Sequence, residues 1–222
     1  MGRCKHEAGG EMTESSGMFP MGTSTLDLNG VRVVSSLLDR GAQEALVAVL
    51  RGLLKVAPLH QSVMPNGKPM SVRMTAAGRF GWISDKGGYR YADRHPSGVA
   101  WPPIPAPVME LWRLLVPVAR DPECCLINYY APEARMGLHQ DRDEADFTQP
   151  VLSISLGDDG LFRVGGPNRT DPTRSVWLKS GDVAVLEGAA RLAFHGIDRI
   201  KPSTSTLLDR PGRINLTLRV VT

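Results

Sequence analysis

From Ala42 to Val56 apolar residues recur at helical spacing, Leu46, Val49, Leu50, Leu53 and Leu54, which predicts an amphipathic helix with one buried stripe. A second helix is predicted from Ala106 to Ala119, with Val108, Leu111, Trp112 and Leu115 on one face and Pro117 limiting its end. Beyond Asp121 the period changes. Short runs rich in Val, Ile, Leu and Thr follow, separated by Gly, Pro and Asp: Cys124 to Tyr130, Val151 to Leu156, Leu161 to Val164, Val176 to Leu178, Val183 to Leu186 and Ile214 to Val220. This pattern predicts a mostly β chain with flanking helices (α+β), built as a sandwich, jelly roll or barrel and not as a parallel sheet with crossover helices.

The last of these runs alternates with period two. Ile214, Leu216, Leu218 and Val220 form one face; Arg213, Asn215, Thr217 and Arg219 form the other. The two Arg backbones are roughly 20 Å apart in an extended strand, so both serve one ligand only by reaching inward from opposite ends. A short dicarboxylate suits that spacing, because guanidinium forks carboxylate with paired hydrogen bonds. The competing reading is an edge strand with a charged, solvated face.

Composition narrows the class. The chain has 222 residues, 42% hydrophobic and 22% charged, with no apolar run long enough to cross a bilayer. Residues 1–22, rich in Gly, Ser, Met and charge, are expected to be a disordered tail, and 23–222 a single domain. Three cysteines, two of them adjacent, are expected to be reduced thiols in a cytoplasmic, monomeric protein. The net charge of +3 carries no argument for nucleic acid by itself. It is locally concentrated, however. Between Lys68 and Arg94 stand six basic residues against Asp85 and Asp93, together with Phe80, Trp82, Tyr89 and Tyr91. With Gly87-Gly88 inside and prolines following, residues 68–95 are expected to form a nucleotide-recognition flap; the alternative is a structural hairpin with its rings in the core.

Candidate metal chemistry lies in His139-Gln140-Asp141, where an imidazole and a carboxylate two positions apart point to the same side of extended chain. His195 follows an apolar run, precedes Gly196, and is the candidate third ligand. Two His and one carboxylate on one face of an octahedral ion leave three positions open, the arrangement of non-haem Fe(II) oxygenases. Each piece alone has a plain alternative: a solvated acidic turn for the tripeptide, and a hydrogen-bonded half-buried imidazole for His195.

Taken in order, His139-Gln140-Asp141, His195 and Arg213-Ile214-Asn215-Leu216-Thr217-Leu218-Arg219 resemble the AlkB family of iron and 2-oxoglutarate dioxygenases. That family's motif is HxD, a distant His, then RxNxxxR. The likeness extends through Leu126 to Pro132, Leu138 to Glu144, Val151 to Gly157, Asn168 to Pro172 and Arg191 to Ile197, and covers roughly residues 70 to 221. It implies a double-stranded β-helix, a jelly-roll barrel with an N-terminal helical and hairpin flap, and the metal in its open mouth. By the resemblance, His139, Asp141 and His195 are the Fe(II) ligands. Asn128, Tyr130, Arg213, Asn215 and Arg219 are the 2-oxoglutarate contacts, Arg213 at the distal carboxylate and Arg219 nearer the metal. Trp82, Tyr89, Tyr91, Asp143 and Arg169 are substrate contacts, and Ser153 lines the same cavity. Leu186 departs from the Trp that bacterial relatives often have there.

The activity so implied is oxidative dealkylation of N-alkylated bases, of the N1-methyladenine and N3-methylcytosine type, consuming O2 and 2-oxoglutarate and releasing succinate, CO2 and formaldehyde. The expected partner is alkylated DNA, preferentially single-stranded, with RNA also open and no membrane. Other readings are the same chemistry on tRNA or on a protein side chain, a metal-dependent nuclease built on His139, Asp141, Asp143 and His195, and a non-enzymatic RNA-binding barrel. A hydrolase has no use for the Arg-x-Asn-x-x-x-Arg strand.

Overall fold

The computed structural model describes Thr13, Glu14 and residues 22–222, so the expected tail, apart from Thr13 and Glu14, and Cys4 lie outside the described residues. The strands are β1 (Thr13–Glu14), β2 (Ser24–Leu28), β3 (Val31–Ser35), β4 (His60–Val63), β5 (Pro69–Gly78), β6 (Gly81–Asp85), β7 (Gly88–Ala92), β8 (Cys124–Tyr130), β9 (Met136–His139), β10 (Val151–Gly157), β11 (Asp159–Val164), β12 (Arg174–Leu178), β13 (Val183–Leu186), β14 (His195–Lys201) and β15 (Arg213–Arg219). Helix α1 (Arg40–Val56) separates β3 from β4, and α2 (Ala106–Leu115) separates β7 from β8.

Helix α1 starts at Arg40 because Asp39 caps it, its carboxylate accepting from the Ala42 amide at 2.8 Å. The periodic residues Leu46, Leu50 and Leu53 are buried with Val47, while Val49, expected on the same stripe, is 42% exposed. Helix α2 stops at Leu115, short of the expected Ala119, since the residue before Pro117 is driven out of helical conformation. Among the described residues no helix is long and apolar enough to cross a membrane.

Nine strands form one sheet in the order β1-β2-β3-β13-β10-β15-β8-β5-β4, and four form a second in the order β12-β11-β14-β9, with antiparallel pairing throughout. The helices pack on one face of the larger sheet, burying Leu50 and Trp112 against Leu152, Leu216 and Leu218. The opposite face meets the smaller sheet through Val151, Phe162, Val164, Leu178 and Leu186. The protein is thus mostly β, a jelly roll with helices outside.

Strand β15 lies in the middle of the large sheet, between β10 and β8, which removes the edge-strand reading. Its apolar side faces the helices and its polar side faces the space between the sheets. The segment expected as a single flap divides. Residues of β5 are paired along β8 within the main sheet, and only the β6–β7 hairpin stands apart as its own two-stranded unit. Four consecutive buried positions, Met74 to Ala77, show why: β5 is covered on both faces and so lacks the alternation that marks a half-exposed strand. Cys124 and Cys125 are free and buried in β8.

Candidate active site

His139 ends β9 and His195 begins β14, and the two are direct cross-strand partners. The close approach depends on Gly196, where a Cβ would come within 2.5 Å of the Met136 carbonyl oxygen. Asp141 lies just beyond β9. Its Oδ1 is 3.8 Å from His139 Nε2 and its Oδ2 3.7 Å from His195 Nε2, and one ligand atom from each of the three residues falls within 4.8 Å of the others. Each imidazole directs Nδ1 at a main-chain carbonyl, His139 at Gly137 (2.9 Å) and His195 at Ala193 (3.0 Å). A carbonyl only accepts, so Nδ1 carries the hydrogen and Nε2 presents a lone pair to the shared space.

The electrostatics at Asp141 and His195 agree with this arrangement. Burial alone would raise the Asp141 carboxyl, but Arg219, then His195 and His139, outweigh it and hold the group well below the usual carboxylate range. Burial lowers His195 to about 4, helped by His139. An anionic oxygen at Asp141 and a neutral nitrogen at His195 suit a divalent cation.

The polar row of β15 runs away from this cluster. Arg219 Nη2 is 2.7 Å from Asp141 Oδ1. Thr217 donates to Asn215 Oδ1 at 2.9 Å, and Asn215 donates to Ser153 Oγ at 2.6 Å. At the far end Arg213 is 0% exposed and donates only to neutral partners, Ser155 Oγ at 2.7 Å and the carbonyls of Leu178 and Asp158 at 3.3 and 3.4 Å. Gly160 makes room for it, since a Cβ there would sit 2.9 Å from Arg213 Nε. Asn128 stands opposite Asn215 and Tyr130 opposite Arg213 across the β8–β15 pair. Burial pushes Tyr130 up to about 12.

Four buried polar atoms in this cavity have no hydrogen-bond partner: Asp141 Oδ2, Asn128 Oδ1, Arg213 Nε and Arg219 Nε. Native interiors rarely leave such atoms unpaired. A cation would satisfy Asp141 Oδ2 and a diacid would satisfy Arg213 Nε, while Arg219 Nε lies 3.4 Å from Glu144 Oε1, so the cluster and the buried arginine fit Fe(II) and 2-oxoglutarate.

The cavity encloses about 610 Å³ and is walled by both sheets and the hairpin. Trp82, Tyr89, Asp143 and Arg169 all line it; Tyr91 does not. Tyr91 points instead at Glu144, to which its hydroxyl donates at 2.5 Å. Trp82 and Tyr89 stack on each other, centroids 5.4 Å apart and planes within 16°. Asp143 accepts from Trp82 Nε1 at 2.7 Å. Arg169 donates to the Leu138 carbonyl at 3.0 Å and lies over the Phe194 ring. Leu186, 1% exposed, lines the wall. Sequence reasoning missed Ser155, Glu144 and Arg191. Ser155 could have been found from its period-two relation to Ser153, and Glu144 from its place beside the HxD tripeptide.

The chain matches the 2OG-Fe(II) oxygenase superfamily over residues 30–219. It is 56% identical over 191 residues to the alpha-ketoglutarate-dependent dioxygenase AlkB homolog of Caulobacter vibrioides, covering 86% of this chain and 87% of that one. Against the alpha-ketoglutarate-dependent dioxygenase AlkB of Escherichia coli K12 the identity is 39% over 184 residues, 80% of this chain and 84% of that one. The solved structure of OsALKBH1 superposes with a TM-score of 0.71 at 32% identity, covering 86% of this chain and 97% of that chain.

Proposed function

The chain belongs to the AlkB family of 2OG-Fe(II) oxygenases, and from that premise we propose that it oxidatively removes alkyl groups from bases of the N1-methyladenine and N3-methylcytosine type, in single-stranded DNA and also in RNA. The observation that carries the reading is the continuity of one cavity: a two-His, one-carboxylate cluster, a row of polar groups ending in a buried arginine without an acid partner, and an aromatic rim.

In this reading His139, Asp141 and His195 hold Fe(II), with Nε2 of each imidazole as ligand. Arg213, Asn128, Tyr130, Asn215 and Arg219 hold 2-oxoglutarate, Arg213 taking the carboxylate far from the metal. Bound together, the iron, 2-oxoglutarate and O2 supply the oxidising equivalent that hydroxylates an N-methyl carbon, whose product releases formaldehyde. The chain's own residues select and place the base. A base must leave its stack to enter, which costs least for a lesion that has lost its pairing face and for a single strand. The flat Trp82–Tyr89 pair offers a stacking surface. One oxygen of Asp143 is engaged by Trp82, leaving the other to accept from an exocyclic amine and to offset the charge of a methylated base.

Formaldehyde and succinate release are to be measured with Fe(II), 2-oxoglutarate and O2 on DNA and RNA oligonucleotides, single- and double-stranded, each carrying one methylated base. Formaldehyde is expected from methylated strands and not from unmethylated ones, with succinate above the oligonucleotide-independent background only on methylated strands. Succinate release without formaldehyde from any of them would overturn the substrate assignment.

A further inference from the structure

Between the hairpin and the loop that carries Asp141 lies a carboxylate used by none of the roles above. Glu144 follows Asp141 by three residues, and its side chain is 1% exposed. Groups from three separate parts of the chain converge on it. Tyr91 in β7 donates to Oε1 at 2.5 Å, Arg191 from the β13–β14 connection donates Nη2 to Oε2 at 3.0 Å, and Arg219 Nε in β15 lies 3.4 Å from Oε1. Arg191 is also buried, and its other nitrogens hold the loop's main chain, Nη1 at the Asp141 carbonyl and Nε at the Gln149 carbonyl, both at 2.7 Å. In the hairpin Trp82 is the direct cross-strand partner of Tyr91, and it donates to Asp143 at 2.7 Å. A single rung of the hairpin therefore grips two successive acidic residues of the metal-ligand loop.

The geometry points to Glu144 as a positioning residue that locks the hairpin and the Asp141 loop into one register, so that a base against the hairpin and a cation on Asp141 are bound cooperatively. Charge-assisted hydrogen bonds in a dry interior tolerate little displacement. When the hairpin is seated, Tyr91 fixes Glu144, Glu144 fixes Arg191, and Arg191 fixes the main chain at Asp141. When the hairpin lifts, the first of these bonds is lost and the loop has more than one arrangement. Anything that seats the hairpin then favours the cation-ready loop, and a cation favours the seated hairpin to the same degree. Burial raises the Tyr91 phenol far above its ordinary range, against the opposing effect of Arg219, so it stays a donor at any working pH.

The inference rests on the function proposed above. Its test uses Mn(II) alone as the cation, titrated into the full chain with and without a single-stranded oligonucleotide bearing one N3-methylcytosine, free Mn(II) being followed by its electron paramagnetic resonance. The wild type is expected to bind Mn(II) at least about 5-fold more tightly when the oligonucleotide is present, and the oligonucleotide more tightly by the same factor when Mn(II) is present. Tyr91→Phe removes only the hydroxyl, and Glu144→Gln keeps the shape without the charge. Each is expected to bind both ligands with the factor reduced to about one. Thermal melting by circular dichroism shows whether each variant folds; Tyr91→Phe decides, and Glu144→Gln decides in its place if Tyr91→Phe does not fold. A factor that survives in the deciding variant, or is missing from the wild type, overturns the role of Glu144. Failure of the wild type to bind Mn(II) or the oligonucleotide at all overturns the underlying function instead.

Discussion

Asp141 and Arg213 are both buried and both charged, yet they respond differently to replacement. Asp141 is paired with Arg219, so Asp141→Ala leaves a buried guanidinium without its nearest anion and is expected to cost about 3–5 kcal/mol of stability. Asp141→Asn keeps an acceptor for Arg219 and removes the ligand charge. It is expected to fold and yet to lower Fe(II)-dependent succinate release by more than the roughly 10- to 100-fold typical of losing a ligand's outer partner. Arg213 hydrogen-bonds only neutral partners, so Arg213→Met breaks no hydrogen-bonded ion pair. Its melting temperature should fall less than that of Asp141→Ala, while the 2-oxoglutarate requirement rises roughly 10- to 100-fold, the worth of a charged hydrogen bond or two. A requirement unchanged in Arg213→Met would place the diacid elsewhere. The triad and the two arginines were legible from spacing because each occupies a motif. Arg191 was not, since its meaning depends on which strands come together and a single Arg in a sequence carries no mark of burial; Glu144 had only its place near the HxD tripeptide to signal it.

At the scale of elements, what could be read depended on exposure. Strands β8, β13 and β15 were predicted to within about a residue, because turn residues bound them and, in β15, the two faces differ in polarity. Strands β5, β9 and β14 escaped: β5 is covered on both sides, β9 has four residues, and β14 carries a register shift against β9 and a run of mixed polarity. The hairpin is where the aromatic cluster and the local charge retain their meaning. Trp82 both lines the cavity and packs toward Met74, so Trp82→Ala mixes two effects. Trp82→Phe keeps a ring beside Tyr89 and loses the hydrogen bond to Asp143. It is expected to reduce turnover of methylated oligonucleotide by less than Trp82→Ala, which forfeits about 1–3 kcal/mol of stacking. Both should leave oligonucleotide-independent conversion of 2-oxoglutarate to succinate in place. A parallel loss of that conversion and of melting temperature in Trp82→Phe would mark the ring as structural.

For the molecule as a whole, acid sensitivity should come partly from a histidine outside the metal cluster. His60 is lowered from 6.5 to about 4, by burial and then by the neighbouring His95, whose ring centroid is 5.1 Å away. The unfolded chain therefore binds a proton that the folded one refuses between those two values, so this contribution to stability is fully present above about pH 6.5 and is lost as pH falls toward 4. Melting temperature measured across that window should decline with acidification, and His60→Gln should flatten the decline; an unchanged slope would assign it to other groups. Two sheets facing each other across one cavity also set what the protein can distinguish. In the proposed role, Arg213 at the buried end of the barrel senses only the far carboxylate of a five-carbon keto acid. Succinate, the four-carbon product, offers the same group to the same fork. Succinate is then expected to compete with 2-oxoglutarate, and Arg213→Met should weaken inhibition by succinate by the same factor as it weakens use of 2-oxoglutarate.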